Sequence, residues 1–227
     1  SPVANQNLSV FSPLTTTTRF YTYNTNTNFF NSISDPSVTN FTNGQGYLIR
    51  MPNTHPTIPT VWNGNFDGVP NNGYYLITLT NAGSTKRFNL LGNPYPSPIN
   101  MTQFVTDNNT KITGTLYFWR KTNGAGTAYC TWAGGTFVSN SNAQTVNPNG
   151  IIQTGQGFFV EALNASTSIQ FNNTQRVSNT TGQFFKTKQP VTERSTVWLN
   201  ASNTLGDFSQ MAVGYIADAT SGVDVFD

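Results

Sequence analysis

Short runs of aromatic and β-branched residues, separated by glycine, asparagine and proline, dominate this chain and leave little room for helices. Eight such runs are RFYTY (19–23), GYLIRM (46–51), YYLITLT (74–80), RFNLLG (87–92), TLYFWR (115–120), AYCTW (128–132), GFFVEAL (157–163) and SIQFN (168–172). Strands this short, with turn residues between them, are typical of antiparallel sandwiches and barrels. We therefore predict an all-β fold with an antiparallel β-sandwich-like domain, and one short helix with Asn100 as its N-cap.

Charge is scarce in this chain. Only 9% of the 227 residues are Asp, Glu, Lys or Arg, against about 25% in an ordinary domain. Asn and Thr supply the polarity, and an aromatic content of 13% argues against a disordered polar tract. The eleven basic residues are scattered and the net charge is +2, so we expect no nucleic-acid partner. No apolar run reaches the roughly 18 residues that a membrane-spanning segment needs.

An internal repeat organises most of the chain. The segment FTNGQGYLIRMPN (41–53) matches IQTGQGFFVEALN (152–164), and an aromatic strand precedes each of them. Self-similarity of this kind indicates duplicated structural units. We interpret the repeat as two similar halves, about 8–85 and 86–178, packed as one β-rich domain.

Beyond the repeat the composition changes. We divide the chain into the duplicated module, residues 1–180, and the beginning of a second, truncated β domain, residues 181–227. In the latter, FFKTKQPVTERSTVWLN and DFSQMAVGYIADAT predict two new strands. Because the chain has no leader peptide and ends in the strand-like SGVDVFD, we expect it to be a piece of a longer protein.

The two Gly-Gln-Gly elements raise the question of nucleotide binding. A dinucleotide site needs Gly-x-Gly-x-x-Gly opening a helix, whose N-terminal amides hold the phosphates, and these elements enter strands instead. We therefore assign them a structural role, in which the glycines permit a tight turn or bulge and the glutamines cap backbone groups. The residues are Gly44, Gln45 and Gly46 in the first half and Gly155, Gln156 and Gly157 in the second.

The segment LLGNPYPSPIN (90–100) has a proline at every second position after a strand. Each proline lacks an amide donor and pushes the residue before it toward extended geometry, so the strand ladder must end here. The spacing does not fit the Pro-x-x-Pro pattern of ligand segments. We predict a structural corner that opens the second half, with the tyrosine as a plug beneath it. Its residues are Gly92, Asn93, Pro94, Tyr95, Pro96 and Pro98.

No catalytic constellation is recognisable in the sequence. His55, the only histidine, lies in PNTHPTIP with no nucleophile beside it, and the single cysteine, Cys130, lies inside a predicted strand. A glycosidase pair would have to come from scattered carboxylates, namely Asp35, Asp67, Asp107 and Glu161. We therefore predict that this chain is not an enzyme.

Calcium is the one cofactor that the chain suggests. The segments 107–109 (Asp-Asn-Asn) and 65–68 (Asn-Phe-Asp-Gly) offer oxygen ligands of the kind that Ca²⁺ prefers. The same residue types are ordinary turn formers. Our prediction is no cofactor and no metal site, with Ca²⁺ as the alternative.

The tryptophans raise the question of sugar stacking. Exposed rings beside Asn and Gln amides are a common way for β-sandwich modules to hold glycans, whereas strand aromatics usually fill a core. Alternation in TLYFWR puts Leu116, Phe118 and Arg120 on one face and Tyr117 and Trp119 on the other. Trp119, Tyr129 and Trp132 lie in the strands that flank the loop KTNGAGTA, so we take them as candidate ligand-binding residues.

The segments NLLGNPYPSPIN, LYFWR, WAGGTF and IIQTGQGFFVEALN follow one another in this chain. In that order they resemble a recurring β-rich module of Bacteroidota surface and secreted proteins, which leave the cell through the type IX secretion system. The resemblance covers residues 86–175 well, with Thr154 in place of the usual proline before Gly-Gln-Gly, and residues 8–85 more weakly. The closing VGYIADATSGVDVFD resembles the β domain that often precedes the C-terminal sorting domain in such proteins.

The resemblance implies a non-catalytic extracellular or cell-surface module, a spacer or adhesin-like segment outside the outer membrane. Type IX secretion components or outer-membrane surface components are the partners that it implies. An alternative is a carbohydrate-binding module attached to a secreted polysaccharide-degrading enzyme, with surface glycans as ligands. A hydrolase with a cryptic site is a third hypothesis, and no residue cluster favours it.

Overall fold

The computed structural model describes residues 1–52, 54, 64–120, 128–138, 150–178, 195–202 and 208–215. Within them the chain is mostly antiparallel β-sheet with few and short helices, which confirms the all-β prediction. The chain divides into two compact units, Ser1–Phe185 and Lys186–Asp227. The predicted domain boundary near residue 180 lies outside the described residues. No helix in the described part is long and apolar enough to cross a membrane.

The first unit contains two α-helices and twelve strands among the described residues. The helices are α1 (Leu8–Phe11) and α2 (Met101–Asp107). The strands are β1 (Phe20–Asn24), β2 (Phe29–Ser32), β3 (Leu48–Ile49), β4 (Tyr75–Thr78), β5 (Phe88–Gly92), β6 (Ile99–Asn100), β7 (Ile112–Arg120), β8 (Ala128–Ala133), β9 (Thr136–Val138), β10 (Ile151–Ile152), β11 (Gly157–Ala162) and β12 (Ser168–Phe171). Single 3-10 turns span Thr17–Arg19 and Asn173–Gln175.

The predicted helix and its cap are confirmed. The side-chain oxygen of Asn100 accepts a hydrogen bond from the Gln103 amide at 2.9 Å, in the N-cap geometry that satisfies a free helical donor. In the second unit, β13 (Ser195–Ser202) and β14 (Phe208–Tyr215) pair antiparallel over their full length. The two strands predicted in this region are therefore present.

Two similar halves make up the first unit. In each, a helix leads into an antiparallel hairpin, β1–β2 or β7–β8, and the first strand of the hairpin also pairs with the strand after Gly-Gln-Gly, β3 or β11. In each half, the residues just before the helix also pair with residues just before the Gly-Gln-Gly turn. This pairing is the bridge between Asn7 and Asn40 in the first half and the β6–β10 pair in the second. The halves also join directly, because β4 pairs with β12.

The largest sheet has the strand order β5-β11-β7-β8-β9. Its inner face forms the core together with α2 and β12. Leu116 and Phe118, which alternation places on one face of β7, are both buried there. Other buried residues of this core include Leu91, Tyr95, Ile99, Met101, Phe104, Cys130, Trp132, Phe158, Val160, Ile169 and Phe171. The outer face of the same sheet carries the residues between them.

Candidate ligand-binding groove

The outer face of the five-stranded sheet carries a patch of aromatic side chains. Tyr117 on β7 lies opposite Phe159 on β11 and Thr131 on β8. In a neighbouring register position Trp119 lies opposite Tyr129, and the two ring centroids are 5.1 Å apart. Both of these rings are substantially exposed, at 43% for Trp119 and 41% for Tyr129.

The β1–β2 hairpin brings more rings to this face. Phe159 is almost fully buried, and the ring of Tyr23 lies 4.8 Å from it, centroid to centroid, with the planes at 87°. Phe30 and Tyr129 contact the same ring at 6.3 and 5.7 Å, again nearly perpendicular. The Phe159 ring therefore forms the base of this patch, and three other rings surround it with their planes nearly perpendicular to it.

Between the hairpin and the sheet lies an open groove of about 580 Å³, which we call the aromatic groove. Besides the rings its lining includes Phe29, which is 71% exposed, and the polar side chains of Asn28 and Thr131. Within the described residues, no Asp, Glu, Lys, Arg or His lines it. A concave, mostly apolar lining with a few polar groups is the usual chemistry of a small-molecule site.

The tyrosines of the aromatic groove are uncharged at neutral pH. Burial raises the pKa of Tyr23 and of Tyr129, and the proximity of Tyr23 raises the pKa of Tyr129 further. Burial also raises the pKa of Tyr117, followed by the negative charge of Glu161, which forms an ion pair with Arg87. Since an unperturbed tyrosine has a pKa of about 10, all three hydroxyls keep their protons.

A second groove, of about 780 Å³, runs along β1 and β4 and is rich in Asn and Thr. Several of its polar side chains serve the fold. Asn89 Nδ2 donates to the carbonyl oxygens of Thr80 and Arg87, both at 2.9 Å. The Thr25 hydroxyl donates to the Phe88 carbonyl at 2.7 Å. Because such groups are already paired with backbone, we take the aromatic groove as the candidate site.

One of the three predicted ligand-binding residues lines the aromatic groove, and a second lies beside it. Tyr129 lines it, and Trp119 packs against Tyr129. Trp132 lies on the opposite face of β8, where it is 3% exposed and part of the core. Its ring is not available to a ligand at the surface, which corrects its inclusion in the predicted set.

Sequence reasoning missed the rings of Tyr23, Phe30 and Phe159. Tyr117 had a usable signal, because alternation places it on the same face as Trp119. In GFFVEAL the adjacent phenylalanines point to opposite faces, and the pattern does not indicate which of them faces the core. The hairpin residues come from the other half of the chain, and no local pattern shows that they cover this sheet.

The two Gly-Gln-Gly elements form equivalent turns. In each, the backbone N–H of the glutamine donates to the backbone carbonyl oxygen three residues earlier, at 3.2 Å for both Gln45 and Gln156. The preceding Gly44 and Gly155 have φ values of 76° and 72°, a conformation that the third residue of such a turn requires and glycine adopts readily. These elements are therefore structural turns and do not open a helix.

The two turns flank the end of β5. The Gly46 amide donates to the Leu90 carbonyl at 3.1 Å on one side of the strand. On the other side Gly157 pairs with Gly92 in the β5–β11 ladder. The repeated motif thus joins the two halves along a single strand.

The side chains of the two glutamines differ in role. Oε1 of Gln156 accepts from the Gln153 amide at 2.8 Å, which is the predicted backbone cap. Oε1 of Gln45 instead accepts from the Tyr47 hydroxyl at 3.4 Å, and that hydroxyl accepts from the Thr42 amide at 2.9 Å. In the first half the tyrosine therefore caps the backbone in place of the glutamine.

Asn93 organises the proline corner. Its Oδ1 accepts from the Tyr95 amide at 3.0 Å, and its Nδ2 donates to the carbonyl oxygens of Ser97 and Gln153 at 2.9 and 3.2 Å. Tyr95 is fully buried, and its hydroxyl donates to the Gly73 carbonyl at 2.7 Å. The corner is thus a packed, hydrogen-bonded turn, with its tyrosine inaccessible to a partner.

The calcium candidate at Asp107 has its oxygens occupied by protein amides. The side chains of Gln103, Asn172 and Gln175 donate to its carboxylate at 2.7, 2.9 and 2.8 Å. Asn108 is buried and its amide donates to the carbonyls of Phe104 and Gln170. In the described part of the chain, no three His, Cys, Asp or Glu side chains are grouped as metal ligands.

Two of the other residues weighed for catalysis have structural surroundings. Cys130 is buried in β8, and Glu161 is paired with Arg87. Asp35 is exposed, and its pKa is lowered by hydrogen bonds from the Ser37 hydroxyl and amide. His55 lies outside the described residues.

Comparison with known proteins identifies a family and no characterised relative. Residues 1–227 match the family described as "Domain of unknown function (DUF8693)". The match spans both compact units. No curated protein and no solved structure matches the chain.

Proposed function

The chain belongs to the DUF8693 family, and we propose that it is a non-catalytic, adhesin-like module of a secreted or cell-surface protein. The observation that carries this proposal is the aromatic groove, an open and uncharged ring surface mounted on a rigid sheet. Binding residues held on strands keep their geometry without a ligand, which lowers the entropic cost of association.

The exposure of these rings favours a binding role over a purely spacing role. Phe29, Trp119 and Tyr129 are exposed aromatic side chains that lie in or beside the aromatic groove. Clustered exposed apolar surface with polar groups at its border marks an interaction site in most proteins. The groove therefore supports an adhesin-like segment.

The resemblance to type IX secretion substrates supports an extracellular location, and so does the charge-poor, Asn- and Thr-rich composition. Digestion of intact cells that produce the protein, with an added protease, tests this. With a working type IX translocon, we expect the protein that carries this chain to be digested or found in the medium. With the translocon inactivated, it should stay inside and be protected, and an unchanged distribution would contradict the proposed route.

Bead adhesion tests the binding role. Beads that carry the chain are applied to surfaces coated with neutral polysaccharides, acidic polysaccharides or extracellular-matrix proteins. We expect retention on at least one surface, and about tenfold or greater loss of retention with the double substitution Phe29→Ala/Tyr129→Ala.

The matched control is Tyr74→Ala, which removes an exposed ring outside the aromatic groove. It should be retained as well as the unmodified chain. Retention on no surface, or equal loss with the control, would remove the binding role.

A further inference from the structure

We propose that the aromatic groove binds a neutral oligosaccharide, with the C–H faces of its pyranose rings against the upright aromatic rings. This inference rests on the proposed binding role and names the ligand class. It depends on the residue types, charge, geometry and polar border of the groove.

The residue types distinguish a sugar from an acyl chain or an amphipathic helix. Within the described residues the lining consists of aromatic rings with one asparagine and one threonine, and it has no Leu, Ile, Val or Met. Grooves that receive helices or acyl chains are normally filled with flexible aliphatic groups. Flat, rigid rings instead offer planar surfaces that match the C–H faces of pyranoses.

The charge of the groove selects a neutral ligand. No ionisable group other than tyrosine lines it in the described part of the chain. Burial raises the pKa of Tyr23, Tyr117 and Tyr129, so these hydroxyls are neutral at physiological pH. The nearby Glu161 carboxylate is already paired with Arg87. A uronic acid or sulfated sugar would therefore find no counter-charge in the lining, and its desolvation would be uncompensated.

The geometry suits rings stacked along a cleft. Phe159 is the floor, and Tyr23 and Tyr129 stand nearly perpendicular to it at centroid distances of 4.8 and 5.7 Å. Phe29 extends the wall and is the most exposed ring of the groove. The volume of about 580 Å³ lies in the ordinary range for small-ligand sites.

Asn28 supplies the polar recognition that a sugar needs. The Tyr23 hydroxyl donates to its Oδ1. This hydrogen bond uses the oxygen of the side-chain amide and does not involve the two N–H donors on Nδ2. Asn28 also has a left-handed backbone, with φ at 61°, a conformation that Asn and Gly adopt more readily than other residues. The hairpin turn therefore holds this amide at the border of the groove, where it can donate to sugar hydroxyl oxygens.

Isothermal titration calorimetry of the full chain tests the proposal. The probes are neutral hexasaccharides, namely β-1,4-glucose, β-1,4-xylose, β-1,4-mannose and α-1,4-glucose chains, with hexagalacturonate as the acidic counterpart. We expect at least one neutral probe to bind with a Kd of about 1 mM or tighter. Hexagalacturonate should bind more weakly than that probe.

Three variants locate the site. Tyr129→Ala and Phe29→Ala should each weaken binding by about tenfold, and Phe29 is exposed enough that its loss leaves the fold intact. Asn28→Gly keeps the turn backbone and removes the amide, so it should weaken binding by about threefold or more. Tyr74→Ala should bind as the unmodified chain does, and melting temperatures verify that every variant is folded.

The outcomes separate this inference from the proposed function. Absence of binding by every neutral probe at about 10 mM, well above the expected Kd, would overturn the glycan assignment, and so would tighter binding of hexagalacturonate. If beads are nevertheless retained through the aromatic groove, the adhesin-like role stands with another ligand class. Neutral-glycan binding that survives Tyr129→Ala and Phe29→Ala would place the sugar elsewhere and contradict this site.

Discussion

Gly46 and Gly157 hold the same position in the two Gly-Gln-Gly elements, yet their surroundings differ. A Cβ on Gly46 would lie 2.5 Å from the Leu91 carbonyl oxygen and 2.6 Å from Cγ of Leu90. On Gly157 the nearest atom is the same Leu91 oxygen, at 3.5 Å. Only the first glycine is therefore required by close contact with β5.

This difference predicts unequal costs of the same substitution. Gly46→Ala should lower the free energy of unfolding by about 1–3 kcal/mol, because backbone and core atoms must move. Gly157→Ala should change it by less than about 1 kcal/mol, since its contact is ordinary and alanine restricts the unfolded chain. Urea denaturation followed by fluorescence measures both. Equal losses would show that the two turns are equally tight.

Single residues also illustrate the limits of sequence reasoning. The interpretation of Gly44 and Gly155 as turn glycines needed only local information, because a positive φ is a property of the backbone at that residue. The partner of Gln45 did not follow, because Tyr47 competes for the cap and its position depends on the packing of the whole half.

At the scale of elements, helix α2 begins where its sequence places it. The Asn100 side chain accepts from the Gln103 amide, while the backbone of the same residue pairs with Ile151 in the β6–β10 ladder. One residue thus ends a strand and starts a helix, and its side chain contributes to the helix alone.

Asn100→Ala should lower the free energy of unfolding by about 1 kcal/mol, because it leaves a helix donor without its cap. Asn100→Asp keeps an acceptor at this position and should lose less than half as much. Thermal unfolding followed by circular dichroism compares them. If both variants lost the same amount, the strand pairing and not the cap would be responsible.

Strand lengths were less predictable than strand positions. The run GYLIRM predicts six strand residues, whereas β3 contains only Leu48 and Ile49. A strand exists only where a neighbouring backbone is in register, and β1 offers β3 just Phe20 and Tyr21. That neighbour is a tertiary partner, so residue preference could not set the length.

For the whole molecule, buried tyrosines govern the response to alkali. Burial raises the pKa of Tyr23, Tyr95, Tyr117 and Tyr129. In the unfolded chain these groups ionise near pH 10. Between that pH and their higher folded pKa values, the unfolded chain has lost protons that the folded chain retains, so stability falls as pH rises.

We therefore expect the free energy of unfolding to decline above about pH 10. Urea denaturation at a series of pH values measures the slope. Tyr95→Phe should make the alkaline decline shallower, because it removes one of the shifted groups. Tyr74→Phe, at an exposed position, is the control and should leave the slope unchanged.

The sequence by itself determined the all-β class, the duplication and the start of α2. The fold class and the helix start depend on residues close in the chain, through alternation along a strand and an asparagine cap, and the duplication is a similarity of the sequence to itself. Only the tertiary structure decided that Trp119 faces water while Trp132 joins the core, and that the β1–β2 hairpin stands over the sheet to enclose a groove. Exposure and enclosure depend on which distant elements pack together, and no local pattern in the chain contains that information.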